Sequence, residues 1–245
     1  MWTANTARWF AGASSESDFS GKVLAVIQPF LEACESVLDI GAGTGVFAVP
    51  IAESGHRVTA VEPSAPMAAI MDKEARRRGV RNRIRIVRKT WQSARVGVHD
   101  TVLCINAPAS LTDDAGFIRR ADRLSRRFVC VVQGVAAPRH RFFYDELFPL
   151  LFGKTCPDRG DYHETLHAAR DGGINPDVRI IEYNFDQWFT DMDEAIRFWE
   201  EHLGLKRGER RDVLEPFLQK KLKRQAGGAL LLPIHRRSAM LMWKK

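Results

Sequence analysis

The sequence predicts an α/β fold, a doubly wound and mostly parallel sheet with helices on both faces. Two observations carry that expectation. Strand-length apolar runs alternate with helix-length amphipathic stretches between residues 36 and 133, and a glycine-rich loop follows the first run and opens a helix. A chain of 245 residues suits one enlarged domain of this class.

Residues 21–33 read as an amphipathic helix, with Val23, Leu24, Ile27, Phe30 and Leu31 at helical spacing. Residues 36–40 form a short apolar strand that runs into the glycine loop. A helix is expected over 45–54, although Pro50 conflicts with a helix interior. Residues 57–61 are a second strand. Ser64 is placed to cap the next helix, with Pro66 in its tolerant first turn and Gly79 as its stop. Strands follow at 83–87 and 100–105, then a helix over 112–125 and a strand over 127–133. The second half is less regular. Residues 138–160 are rich in aromatics, 161–170 read as a helix, and 178–185 as a strand. Helices are expected over 191–202 and 209–224, and a last strand over 235–243.

Composition excludes several classes. Hydrophobic residues make up 45% and charged residues 27%, which rules out a disordered or collagen-like chain. No run approaches the ~18 apolar residues of a membrane span. The first residues lack the pattern of a secretory signal. Cys34, Cys104, Cys130 and Cys156 are scattered and form no CxxC, so a cytoplasmic protein with reduced thiols is expected. The net charge of +7 leaves two readings open, an anionic partner such as nucleic acid or an arginine-rich soluble protein. The densest basic run spans residues 76–85, where a helix end meets a strand at the amino edge of the expected sheet.

The informative segment is Val37-Leu-Asp-Ile-Gly-Ala-Gly-Thr-Gly45. Glycines at 41, 43 and 45 let the backbone turn tightly and approach a ligand. Glu62, at the end of the next strand, is placed to accept from both hydroxyls of a ribose. A dinucleotide loop reads G-x-G-x-x-G, whereas this one reads G-x-G-x-G with Asp39 two residues ahead of it. A carboxylate there repels a pyrophosphate and suits an ammonium or sulfonium.

These segments resemble the first two motifs of the class I S-adenosylmethionine-dependent methyltransferases, the second being Arg57-Val-Thr-Ala-Val-Glu62-Pro-Ser64. The resemblance covers residues 36–133 well and the rest in outline. It implies a seven-stranded, mostly parallel sheet whose last strand inserts antiparallel, here 235–243, with a helical cap. It implies S-adenosyl-L-methionine as cofactor and S-adenosyl-L-homocysteine as product. Carried over by position, Gly41, Gly43 and Gly45 line the methionine and ribose side, and Asp39 orients the loop and the ammonium. Glu62 holds the ribose, while Pro63 and Ser64 border the adenine. The acidic residue the family often carries after the third strand is missing from Arg88-Lys-Thr-Trp91-Gln92, so Trp91 is a candidate for stacking on the adenine or else for core packing. After the fourth strand, Asn106-Ala-Pro108 departs from the Asp/Asn-Pro-Pro-Tyr/Phe of the amino methyltransferases. Asn106 is a candidate neighbour of the transferred methyl, or a turn residue.

Methyl transfer from a sulfonium demands positioning and exclusion of water, and a base only where the acceptor keeps its proton. Catalytic candidates are therefore Asn106, Tyr144 and His163, with His140 and His167 as further possible bases. His163 and His167 share a helix face, but no third ligand accompanies them and no metal is expected. The domain expectation is a single methyltransferase domain over 1–245, divided into lid helices (1–35), a cofactor core (36–134) and a substrate-side half (135–245). That half carries cap insertions at about 138–160 and 187–230. The expected acceptor is a small molecule in a capped apolar pocket, with the protein a monomer or homodimer. The alternatives are RNA methylation through the basic surface and a non-catalytic binder of the cofactor.

Overall fold

The computed structural model describes residues 2–112, 114–135, 142–157 and 161–245. In chain order these form α1 (Ala4–Glu16), α2 (Phe19–Leu31), β1 (Ser36–Ile40), α3 (Ala48–Glu53), β2 (Arg57–Val61), α4 (Ala65–Arg77), β3 (Ile84–Val87) and β4 (His99–Ile105). Next come α5 (Ala109–Thr112), α6 (Ala115–Arg123), β5 (Ser125–Gly134), α7 (Tyr144–Phe152), α8 (Tyr162–Asp171), β6 (Asp177–Asn184) and β7 (Gln187–Phe189). The chain continues through α9 (Met192–Leu203), α10 (Arg211–Lys221), β8 (Lys223–Arg224), β9 (Leu230–Leu232) and β10 (His235–Lys244).

The described chain divides into two compact units. One gathers residues 20–136, 159–182 and 237–245; the other gathers 1–19, 137–158 and 183–236. The segments expected as lid and as cap insertions thus fall largely into a unit of their own, where the sequence suggested additions to one domain.

The larger unit is built on the seven-stranded sheet, in the order β3-β2-β1-β4-β5-β10-β6. β1 pairs in parallel with β2 and β4, and β10 runs antiparallel to β5, with Met240 opposite Val132. β1, β4 and β5 lie mid-sheet and are buried on both faces, so they are mainly apolar rather than alternating, with Asp39 the exception in β1. The core gathers Leu38, Ile40, Val102, Val129, Val131, Phe117, Ile118 and Leu241. The first strand therefore delivers the glycine loop to the carboxyl edge of the sheet beside β4, where ligands bind in doubly wound folds.

Two boundaries depart from the sequence reading for local reasons. The helix expected from residue 45 begins at Ala48, which puts Pro50 in the first turn, where its missing N–H has no helical acceptor to serve. The helix expected over 112–125 is the shorter α6, Ala115–Arg123, and the separate short α5 precedes it where a loop was expected. The Asp114 carboxylate accepts from Gly116 N and Phe117 N and starts α6 afresh.

The smaller unit has its own core, in which Phe142, Leu147, Phe189, Phe198, Trp199, Leu214 and Leu232 are buried together. It also contains a three-stranded sheet, β7-β9-β8, in the stretch where the sequence suggested only helical insertion. Helix α1 opens with a capping box in which Thr3 and Thr6 satisfy each other's backbone N–H groups.

Candidate cofactor site

The glycine loop is held from the neighbouring strand. The Val61 carbonyl accepts from both Gly41 N (2.9 Å) and Ala42 N (3.2 Å), and Gly45 N donates to Ala42 O at 3.0 Å. All three glycines have positive φ, at 73°, 57° and 83° for Gly41, Gly43 and Gly45. The reasons for glycine differ along the loop. A Cβ on Gly45 would lie 2.5 Å from Met71 Cγ, so this position is closed by the protein's own packing. A Cβ on Gly43 would meet nothing nearer than Gly41 O at 3.9 Å. The space over Gly43 is therefore open, and a side chain there would occupy room that a ligand can use.

Glu62 is only 6% exposed and clamps this loop. Its Oε2 accepts from Gly43 N at 2.9 Å and its Oε1 from Ser64 N at 2.7 Å. Each oxygen keeps a second lone pair for another donor. Burial raises the Glu62 pKa, and the two backbone hydrogen bonds oppose that rise. Asp39 lies deeper, 2% exposed at the end of β1. Its Oδ2 is buried without a hydrogen-bond partner among the described residues. Burial, with a smaller contribution from the Glu62 charge, pushes its pKa up to about 7. The loop expected to be oriented by Asp39 is thus oriented by Val61 O and Glu62, and Asp39 stands behind it as an acceptor lacking a donor.

An unpartnered buried carboxyl beside a second carboxylate disfavours an anion and favours a cationic group with N–H donors. An ammonium on Asp39 and hydroxyls on the spare lone pairs of Glu62, with room over Gly43, fit these residues. A pyrophosphate does not.

Of the other expected site residues, Asn106 lies exposed just beyond β4, with φ 53° and its N–H donated to Val132 O at 2.9 Å. Asparagine tolerates this left-handed conformation better than most residues. The next residue, Ala107, backs Gly41, whose added Cβ would touch its Cβ at 3.4 Å. Pro63 is exposed beside the loop. Trp91 is 5% exposed and belongs to the sheet core, edge-on to Phe117 and with the Arg120 guanidinium 3.8 Å over its ring. One ring face is thereby taken, and packing accounts for this tryptophan. Tyr144 is 3% exposed and sits in the other unit among Phe142 and Phe148, so it too fills a core. His163 opens α8 with its side chain 58% exposed, its Nε2 4.0 Å from Asp161 Oδ2. His140 lies outside the described residues.

Sequence reasoning missed a buried polar chain under this edge. Gln133 Nε2 donates to Ala107 O (3.1 Å) and to Thr112 Oγ1 (2.8 Å), and Thr112 meets Thr165 at 3.1 Å. It ties the ends of β4 and β5 to α5 and α8. A glutamine closing an otherwise apolar strand was the available signal.

The basic run is compensated in part. Arg76 and Arg81 bond Asp72, Arg77 and Arg78 bond Glu74, Arg78 also reaches Glu53, and Arg83 donates to Gly55 O. No helix among the described residues is long and apolar enough to cross a membrane.

Comparison with known proteins bears on this site. Residues 37–127 match the family model described as a methyltransferase domain. A ubiquinone biosynthesis O-methyltransferase of Methylocella silvestris is 31% identical over 90 residues, 37% of this chain and 35% of that protein. The chain thus matches about a third of the length of this curated relative. Among solved structures, a candidate methyltransferase of Bacillus halodurans superposes with a TM-score of 0.58 at 16% identity, over 92% of this chain and 99% of that one. A magnesium protoporphyrin IX methyltransferase of Synechocystis, crystallised with S-adenosylhomocysteine, gives 0.56 at 14% identity over 91% and 82%. At these identities the structural likeness speaks for the fold.

Proposed function

We propose that this chain, whose residues 37–127 match a methyltransferase-domain model, moves a methyl group from S-adenosylmethionine to a small-molecule acceptor. The observation that carries the reading is the buried Asp39 carboxyl, lacking a donor behind an open glycine loop whose clamp, Glu62, keeps lone pairs to spare.

S-adenosylmethionine supplies an activated methyl on a sulfonium centre. Asp39 would accept from the α-ammonium, which would give its Oδ2 the missing donor. Glu62 would accept from the ribose hydroxyls while holding Gly43 and Ser64 in place. Gly43 would leave the backbone bare to the cofactor. Asn106, fixed in its left-handed turn, presents a polar side chain at the carboxyl end of β4, beside the loop. The chain's catalytic task is then to orient an acceptor and exclude water. His163, exposed at the start of α8, is the candidate base where the acceptor still carries a proton, with His167 exposed on the same helix.

A small acceptor is favoured over RNA because the densest basic run bonds to neighbouring carboxylates rather than facing solvent as free cations. The curated relative and the Synechocystis enzyme are both named for small-molecule substrates.

The test is transfer of a labelled methyl group from S-adenosylmethionine into a cell extract, resolved into small molecules, RNA and protein. Label is expected in the small-molecule fraction. Label in RNA would replace this acceptor class. Binding of the cofactor with no label in any fraction would make the chain a binder rather than an enzyme.

A further inference from the structure

The larger unit holds a second feature at the opposite end of its strands. Arg120, on α6, donates from Nη1 to Trp91 O and from Nη2 to Ala94 O, each at 2.7 Å, while its guanidinium lies on the Trp91 ring. Both acceptors are neutral, so these contacts fix the cation without neutralising it. Arg95 and Arg123 stand near enough that their charges, after burial, help to lower the Arg120 pKa. No ion pair to any of the three exists among the described residues. The closest acid in sequence, Asp122, already accepts from Trp243 Nε1 and Lys245 Nζ. The macrodipole of α6 accounts for cations in its last turn, Arg120 and Arg123, but not for Arg95, which comes from the connection between β3 and β4. The three arginines, with Ala94, Val96 and Leu124, line a recess of about 420 Å³. It lies at the amino ends of β4 and β5, where His99 N bonds Leu124 O, whereas the glycine loop lies at the carboxyl end of β1.

We propose that this recess binds the phosphate or diphosphate group of a compact phosphorylated small molecule, on Arg95, Arg120 and Arg123, with Val96 and Leu124 receiving an adjoining apolar part. Guanidinium groups suit this role because their planar N–H pairs match phosphate oxygens. Arg120 is preorganised for it, since its two carbonyl bonds and the Trp91 stack hold it in place while other N–H groups remain. A nucleic-acid strand fits less well. No aromatic residue lines the recess to stack a base, and the nearby tryptophan is buried in the core.

Calorimetric titration with inorganic pyrophosphate tests the proposal, against potassium chloride at equal ionic strength and a single-stranded RNA oligonucleotide. Wild-type protein should bind pyrophosphate saturably at one site. The exposed double substitution Arg95→Gln/Arg123→Gln should weaken that binding by about tenfold or more and leave S-adenosylmethionine binding unchanged. Absence of saturable binding, equal affinity in the variant, or an effect reproduced by chloride would overturn the site. Tighter, steeply salt-dependent binding of the oligonucleotide, lost in the variant, would assign the arginines to nucleic acid instead.

Discussion

At the scale of single residues, the loop glycines and the two carboxyl groups separate stability from binding. Gly45→Ala should cost about 2–4 kcal/mol, because it combines a φ of +83° with a Cβ 2.5 Å from Met71 Cγ. Gly43→Ala carries only the strain of its positive φ, about 1–2 kcal/mol, yet it places a methyl group over the open side of the loop. Urea unfolding and cofactor titration of the two variants check this. The Gly45 variant should lose more stability and the Gly43 variant more affinity, and normal affinity in the latter would move the cofactor off this face. Asp39 supplies a pH signature. Its pKa is about 7 in the fold and near 3.8 when exposed, so the native state holds the extra proton and stability falls as pH rises between those values. An ammonium ligand prefers the carboxylate, so binding should release a proton and tighten from pH 6 to pH 8. Asp39→Asn should abolish that dependence and stabilise the cofactor-free protein at pH 8 by on the order of a few kcal/mol. Titration in buffers of different ionisation enthalpy measures the proton. The positions of these residues were legible in the sequence, since a glycine loop between strand and helix has few geometric solutions. The clamp by Glu62 was not, because it depends on where a side chain turns once β1 and β2 are paired.

At the scale of elements, what could be read was whatever local periodicity determines. The parallel strands announce themselves as apolar runs because both their faces are covered, and the cap at Ser64 is local chemistry. What could not be read depends on distant partners. β8 and β9 have two and three residues, too few to show a period, and exist only because they pair. The four-residue α5 is likewise too short to show a period. The Gln133–Thr112–Thr165 chain is another contact of this kind, joining residues from three separate elements. Gln133→Leu should strand the Ala107 carbonyl and take one donor from the Thr112 hydroxyl, which keeps its contact with Thr165, at a cost of about 1–3 kcal/mol. Combined with Thr112→Val the loss should be less than additive, because both changes break the same Gln133–Thr112 hydrogen bond. A double-mutant cycle in urea reads the coupling, and strict additivity would mean that the two side chains act independently.

At the scale of the molecule, a net charge of +7 is a sum, and a partner responds to where the charges are and whether they are already paired. Composition shows the sum alone, so nucleic acid stayed open at the level of sequence. Sequence could place the run over 76–85 at the amino edge of the sheet, but it could not show Asp72, Glu74 and Glu53 folding back to meet it, since Glu53 comes from a different helix. Exposed pairs of this kind contribute little stability each, but they leave few free cations to exchange for the counterions of a polyanion. Arg76→Glu/Arg77→Glu should therefore change stability little and leave affinity for single-stranded RNA unchanged. Filter binding across a salt series decides the matter. Were the run a nucleic-acid surface, the variant would lose affinity at low salt and the dependence of log affinity on log salt would flatten by roughly 0.7 per phosphate contact removed. An unchanged slope would leave cations outside the run, Arg95, Arg120 and Arg123 among them, as the part of the positive charge available to a ligand.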